Sequence, residues 1–201
     1  MNEENPLSAR VMVNRIWSWY FGRGIAGNPN NFGGTGELPT HPALLDYLAD
    51  WFMKNGWSVK KLNQLILSSE TYRRSSRHPD SDSLEKKDPK RLLYASFIPR
   101  RLVAEEIRDA MLLASGELNF KVGGIPARPD LNPEVAFQPR QIMGGTASVY
   151  EPDPLPEQRN RRTIYAEKIR GLRDPFLEAF NQPGPEASCE LRQTSTVAPQ
   201  A

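Results

Sequence analysis

The chain has 201 residues, 38% hydrophobic and 25% charged, with a formal net charge of +2. That is enough apolar material for one ordinary domain, but no run approaches the roughly 20 apolar residues a bilayer span needs. So small a net charge gives no footing to a nucleic-acid function, and the lone cysteine, Cys189, excludes an internal disulfide and a cysteine-rich zinc site.

The first helix reads from Asn5-Pro6, an N-cap followed by proline at the first helical position. Ala9, Val13, Ile16, Trp17 and Tyr20 recur at helical spacing, and Gly22 can end the run. Arg10 and Asn14 lie one turn apart on another face, and Trp19 falls off the apolar stripe. Residues 22–39, GRGIAGNPNNFGGTGELP, read as one long glycine- and asparagine-rich loop.

Thr40-His41-Pro42 opens the second helix, with Leu44, Leu45, Leu48 and Phe52 inward and Asn55-Gly56 as its stop. Ser58 caps a third, with Val59, Leu62, Leu65 and Ile66 inward, and Trp57 and Leu62 have the spacing of a hydrophobic staple. Two helices joined by so short a turn predict an αα-hairpin. Residues 73–91 are polar and read as a linker, with His78 a solvated loop residue.

A fourth helix is predicted within 92–116, with Val103, Ile107, Ala110, Met111 and Ala114 inward. Residues 117–160 carry seven prolines and two Gly-Gly pairs, an irregular insertion. In the block 161–201, RRTIYAEKIR suggests a short strand and DPFLEAFN a short helix capped by Asp174. The whole is read as a mainly α, irregular helical domain over 1–201, with an N-terminal part at 5–72 and little strand.

MNEENPLSAR lacks the basic and apolar regions of a signal peptide, and TSTVAPQA stops without a helix-ending composition. A piece of a longer protein is the expectation.

Arginine outnumbers lysine 18 to 8. Arginine suits bidentate pairing with oxyanions, so internal ion pairs and an anionic ligand both stay open. Candidate chemistry gathers at three places. His41, ending the glycine-rich loop, could move a proton with Glu37 nearby, or fix the loop through a backbone carbonyl. Asp46 is about 140° further around the second helix, a poor co-ligand for it. Arg10, Asn14, Arg15 and Asn31 could converge with them on one cleft suited to sugar hydroxyls or a carboxylate, or form a network that ties the loop down.

Glu105 and Asp109 stand one turn apart, where two carboxylates can share a proton or a metal, but Arg101 and Arg108 are within pairing reach. Arg108 and Asp109 therefore count as a buried pair or as substrate-binding residues. No set of metal ligands emerges. GRGIAG follows a helix and lacks the Lys-Ser/Thr of a phosphate loop, and Cys189 has no base beside it.

NPLSARVMVNRIWSWYFGRGI, NNFGGTGELPTHPALLDYLADWFMKNGWSVKKLNQLILSSETYR and RRLVAEEIRDAMLLASG, followed by RNRRTIYAEKIRGLRDPFLEAFNQP and SCELRQTSTVAPQA, occur in an order that resembles the planctomycete-type domain of unknown function abbreviated PSD. The resemblance covers residues 5–201. It implies a setting outside the cytoplasm, downstream of other domains and often of a cytochrome c-like module. It also implies a link to redox or polysaccharide metabolism of the cell envelope.

Any haem would sit on such an upstream module, since no C-x-x-C-H occurs in this chain. Partners would be the neighbouring domains and a carbohydrate ligand. Many relatives carry Glu where this chain has Ala43, which removes the acidic half of a capping box with Thr40. Two readings follow: an accessory or catalytic part of an envelope enzyme, or a non-catalytic helical scaffold.

Overall fold

A computed structural model describes residues 5–137, 141–142, 145–146, 149–184, 189, 191–192 and 195–200. The chain divides into two compact units, residues 1–100 and 101–201.

Mainly helical is what the sequence predicts and what the structure has. In the first unit α1 (Pro6–Phe21), α2 (Pro42–Lys54) and α3 (Val59–Ser68) are followed by the short α4 (Glu70–Arg73) and α5 (Ser81–Lys87). Asn5 caps α1 by accepting from Leu7 N, and Gly22 ends it in the left-handed conformation (φ 76°), with its N–H bonded to the Ser18 carbonyl. Ser58 caps α3 by accepting from Lys61 N. The polar stretch 73–91 holds α5, because Asp80 accepts from Ser83 N and starts a turn that the composition alone hides. Just beyond, Asp88 is buried and accepts from Leu92 N and Leu93 N.

One core fills this unit. Ala9, Val13, Ile16, Trp17 and Phe21 of α1 meet Leu45, Leu48, Ala49 and Phe52 of α2, with Leu62 and Ile66 of α3 closing it. Each fully buried Leu, Ile or Phe contributes about 1.5–3 kcal/mol relative to exposure. α2 and α3 are joined by the short turn 55–58, while the tightest backbone packing is α1 on α2. Val59 lies at the exposed edge of α3 instead of inward. An aromatic layer extends the core: Phe21 stacks on Trp17 at 4.2 Å between ring centroids, and Tyr94 meets both edge-on. Trp19 is exposed, as its position off the stripe predicts.

The second unit has little regular structure. It contains α6 (Ala104–Ala114), α7 (Pro133–Ala136), an antiparallel strand pair β1 (Gln141–Ile142) and β2 (Gly145–Thr146), α8 (Pro156–Arg159), a 3₁₀ turn (Thr163–Tyr165) and α9 (Pro175–Ala179). A final 3₁₀ turn spans Ala198–Gln200. Asp174 caps α9 by accepting from Phe176 N and Leu177 N, as predicted.

Two expectations need correction here. RRTIYAEKIR is not a strand: its Arg161 and Ala166 make isolated bridges to Asn119 and Ala127, with the 3₁₀ turn between. Of the residues expected inward on α6, Ala110, Met111 and Ala114 are exposed, and Ala104 is the buried one. The reason is that α6 lies against α9 and the 3₁₀ turn, and its Glu105, Arg108 and Asp109 side bonds Gln182, Arg161 and Thr163, so polar contacts and not an apolar stripe mark its packed face. The apolar cluster of this unit is small: Ala136, Tyr150 and Leu172, flanked by Leu131, Val135 and Ile169.

Candidate functional site

In the first unit Asn14, Arg15, Asn31 and Glu37, four of the residues expected to converge, are each bonded to a part of the loop, while Arg10 and His41 are not. Asn14 is fully buried on α1, where its Nδ2 donates to the Ala26 carbonyl at 2.9 Å and its Oδ1 accepts from Ala26 N at 2.9 Å. One amide side chain thus satisfies both backbone groups of a buried loop residue. Gly24 is required beside it, since a Cβ there would lie 2.5 Å from Asn14 Nδ2 and 2.6 Å from the Ala26 carbonyl oxygen.

Arg15 Nη2 donates to Asn30 Oδ1 at 2.7 Å. Asn31 closes its own turn, donating to Thr35 Oγ1 and accepting from Gly33 N. Glu37 pairs with Arg23, and Gly27 leaves the space beneath that pair. Arg10 Nε lies 3.4 Å from Asp46 Oδ1, a pair in which Arg10 is half-buried and Asp46 exposed, of small energetic weight.

His41 occupies the N-cap position of α2 without a side-chain capping bond. Its Nδ1 is 3.0 Å from Thr40 Oγ1, and its ring tilts against Tyr94 at 5.4 Å between centroids. The histidine was expected to fix the loop through a backbone carbonyl, but it is Thr40 that holds one, that of Ile25, through both its N–H (2.9 Å) and its hydroxyl (3.2 Å). Trp17 Nε1 donates to the Tyr94 hydroxyl at 2.9 Å, so the histidine abuts a rigid aromatic corner. The polar set fastens the loop across α1 and the start of α2.

Arg108 and Asp109 do similar work in the second unit. The Arg108 guanidinium donates to the Arg161 carbonyl (3.0 Å), Thr163 Oγ1 (3.1 Å) and the Arg159 carbonyl (3.1 Å). Burial holds its pKa below the usual arginine value, opposed by Asp109, Asp174 and Tyr150. Asp109 Oδ1 accepts from Thr163 N at 2.7 Å and Thr163 Oγ1 at 2.6 Å.

Arg161, 6% exposed, is the counterpart. It donates to the carbonyls of Ile125 (2.7 Å), Lys121 (3.2 Å) and Gly123 (2.5 Å), with its guanidinium carbon 4.5 Å from the Tyr165 ring centroid. The arginine excess therefore has an internal use. A guanidinium offers five donors in a fixed fork, and irregular backbone has carbonyls that no helix or sheet satisfies.

A cavity of about 260 Å³ opens beside this network. Leu131, Ile169, Leu172 and Leu177 give it apolar walls, and Glu105, Lys168 and Arg192 are among its charged lining. Glu105 meets Arg192 in a bidentate pair, Nη1 to Oε2 at 2.6 Å and Nη2 to Oε1 at 3.0 Å, while Gln182 Nε2 donates to Oε1 at 3.0 Å. Burial would raise the Glu105 pKa, but the hydrogen bonds from Arg192 and Gln182 outweigh it and hold the carboxyl at about 2. Tyr150, whose hydroxyl donates to the Pro129 carbonyl at 2.6 Å, is pushed up to about 12, chiefly by burial. Lys168, at the solvent-exposed lip, is shifted down by partial desolvation, against the opposing pull of Glu105 and Asp174.

Arg192, Gln182 and Lys168 were absent from the candidates drawn from sequence. They lie far along the chain from Glu105, and only the surplus of arginine hinted at their involvement. Among the described residues, no group of three or more His, Cys, Asp or Glu side chains stands close enough to hold a metal ion, and no helix is long and apolar enough to cross a membrane.

The chain matches the family model PSD1, described as a protein of unknown function (DUF1553), over residues 1–201, and belongs to that family. No curated protein and no solved structure matches it.

Proposed function

We propose that this chain is a non-catalytic helical module that organises the neighbouring domains of a larger exported protein, a cytochrome c-like module among them. The observation that carries this reading is the buried Asn14 clamp with its surroundings. Asn14, Arg15, Asn31, Glu37 and Thr40 all spend their polar atoms on the glycine-rich loop or its flanks. A catalytic cleft needs polar groups aimed at a substrate from a pre-organised shell, whereas here they are aimed at backbone and at one another. Held in this way, the loop 22–39 is a fixed surface carrying the exposed Leu38, suited to contact another protein part.

The test uses the isolated chain and separately expressed flanking segments of its parent, titrated by calorimetry. Association with at least one flanking segment is expected, unchanged in the variant carrying both His41→Ala and Glu37→Gln. Binding to neither segment would refute the module role. Release of reducing sugar from soluble polysaccharides by the intact chain, lost in that variant, would favour the envelope-enzyme reading instead.

A further inference from the structure

The cavity of the second unit has a charge inventory in which one cation lacks a directly bonded partner. Arg192 is closed on Glu105, Arg173 on Glu178 (2.7 Å), and Glu167 on Arg128 (2.6 Å). Asp174 holds the first amides of α9, and Arg108 is spent on two carbonyls and a threonine hydroxyl. Lys168 lines the same cavity, and among the described residues its nearest anions, Glu105 and Asp174, reach it through space and not by a hydrogen bond or ion pair. Glu105 and Asp174 act on this partly desolvated ammonium only through space, and a directly bound anion would offset the remaining cost.

We propose that this cavity binds a small aliphatic carboxylate, its carboxylate on the Lys168 ammonium and its hydrocarbon body against Leu131, Ile169, Leu172 and Leu177. Two features narrow the class. Four carboxylates, Glu105, Glu167, Asp174 and Glu178, line the same space. A phosphate dianion would add a second negative charge facing them with no second free cation to meet it, so a monoanion fits and a dianion does not. The volume of about 260 Å³ falls below that of drug-sized sites and suits a body of a few carbons. The four aliphatic side chains favour hydrocarbon over a sugar ring, whose hydroxyls would lose water against them. This site lies within residues 101–201 and goes beyond the module role argued above.

The experiment is a titration of the full chain with hexanoate, 1-hexanol and hexylamine, followed by calorimetry and by the methyl resonances of Ile169, Leu172 and Leu177. Hexanoate is expected to bind and to shift those methyls. The alcohol and the amine should bind at least about tenfold more weakly, a difference of about 1.4 kcal/mol. Lys168→Met should weaken hexanoate by a similar factor, and Lys168→Arg should retain it. Lys168 is exposed, so neither substitution threatens the fold. No hexanoate binding, equal binding of hexanoate and hexanol, or an unchanged affinity in Lys168→Met would each overturn the proposal. The ligand comparison on the unaltered chain decides it without any variant.

Discussion

Replacing Asn14 by alanine removes the one side chain that holds both backbone groups of Ala26. Asn14 is 0% exposed and Ala26 2%, so water does not reach the orphaned N–H and C=O without rearrangement. A buried backbone group left unpaired costs about 1–3 kcal/mol. Two such groups, eased in part by the volume the amide vacates, give an expected loss of about 3 kcal/mol. That is a large share of a typical domain stability of about 5–15 kcal/mol.

Gly24→Ala attacks the same point from the other side, because its new Cβ would press on Asn14 Nδ2, Asn14 Oδ1 and the Ala26 carbonyl. In the double variant two of those three collisions vanish, so the combined loss should fall short of the sum by about 1 kcal/mol. Asn14→Asp keeps the acceptor but buries a carboxylate. Its pKa would be raised by burial, so its penalty should be smallest at acid pH and grow as pH rises above the unfolded value of about 3.9.

The assay is denaturant unfolding followed by tryptophan fluorescence, which reads the first unit alone because Trp17, Trp19, Trp51 and Trp57 all lie within residues 1–100. A loss under about 1 kcal/mol for Asn14→Ala, or strict additivity with Gly24→Ala, would refute the clamp.

The Glu105 pair sets an acid dependence in the second unit. A folded pKa of about 2 against an ordinary 4.5 means the contribution is complete above pH 4.5 and is lost as pH falls towards 2. The shift would correspond to about 3 kcal/mol, and the 40% exposure of the Arg192 side chain reduces this to about 1–2 kcal/mol. Faster amide exchange in α6 at pH 3 than at pH 6, after correction for intrinsic rates, should appear in the parent chain and be much weaker in Glu105→Gln. Equal acid sensitivity in the two would discount the pair. Arg161→Met strands three carbonyls of the 121–125 turn and is expected to cost about 2–4 kcal/mol, seen as proteolytic cutting within that turn. His41→Ala removes a ring contact and one hydroxyl partner, so a loss of no more than about 1 kcal/mol by tryptophan fluorescence is expected.

Much of the first unit was legible because its determinants are local. Asn5-Pro6 and Gly22 bound α1, Ser58 starts α3, and the stripe through Leu45, Leu48 and Phe52 gives the buried face of α2. The polar set was legible as a group but not in its use. Asn14 and Ala26 are 12 residues apart, and nothing in their spacing says that the amide will turn onto that backbone. α5 was hidden inside a polar stretch because Asp80 and Asp88 act through backbone amides, which composition does not display.

In the second unit the apolar period on α6 misled, since Met111 and Ala114 face solvent while Glu105, Arg108 and Asp109 make the packing contacts. Periodicity measures the cost of wetting apolar surface, and that unit is held largely by guanidinium and carboxylate bonds to irregular backbone.

By itself, then, the amino-acid order determined the helical class, the N-caps of α1 and α3, the start of α2, the core of residues 1–100 and membership of the family, all consequences of short-range spacing or of many blocks in sequence. Only the tertiary structure decided that His41 stands beside Tyr94 while Thr40 takes the loop carbonyl, and that Glu105 is answered by Arg192, 87 residues away. Only the fold, too, places Lys168 in a cavity with no directly bonded partner among the described residues. Those outcomes depend on which side chains long chain segments bring within about 3 Å, a distance at which hydrogen bonding acts and sequence spacing is silent.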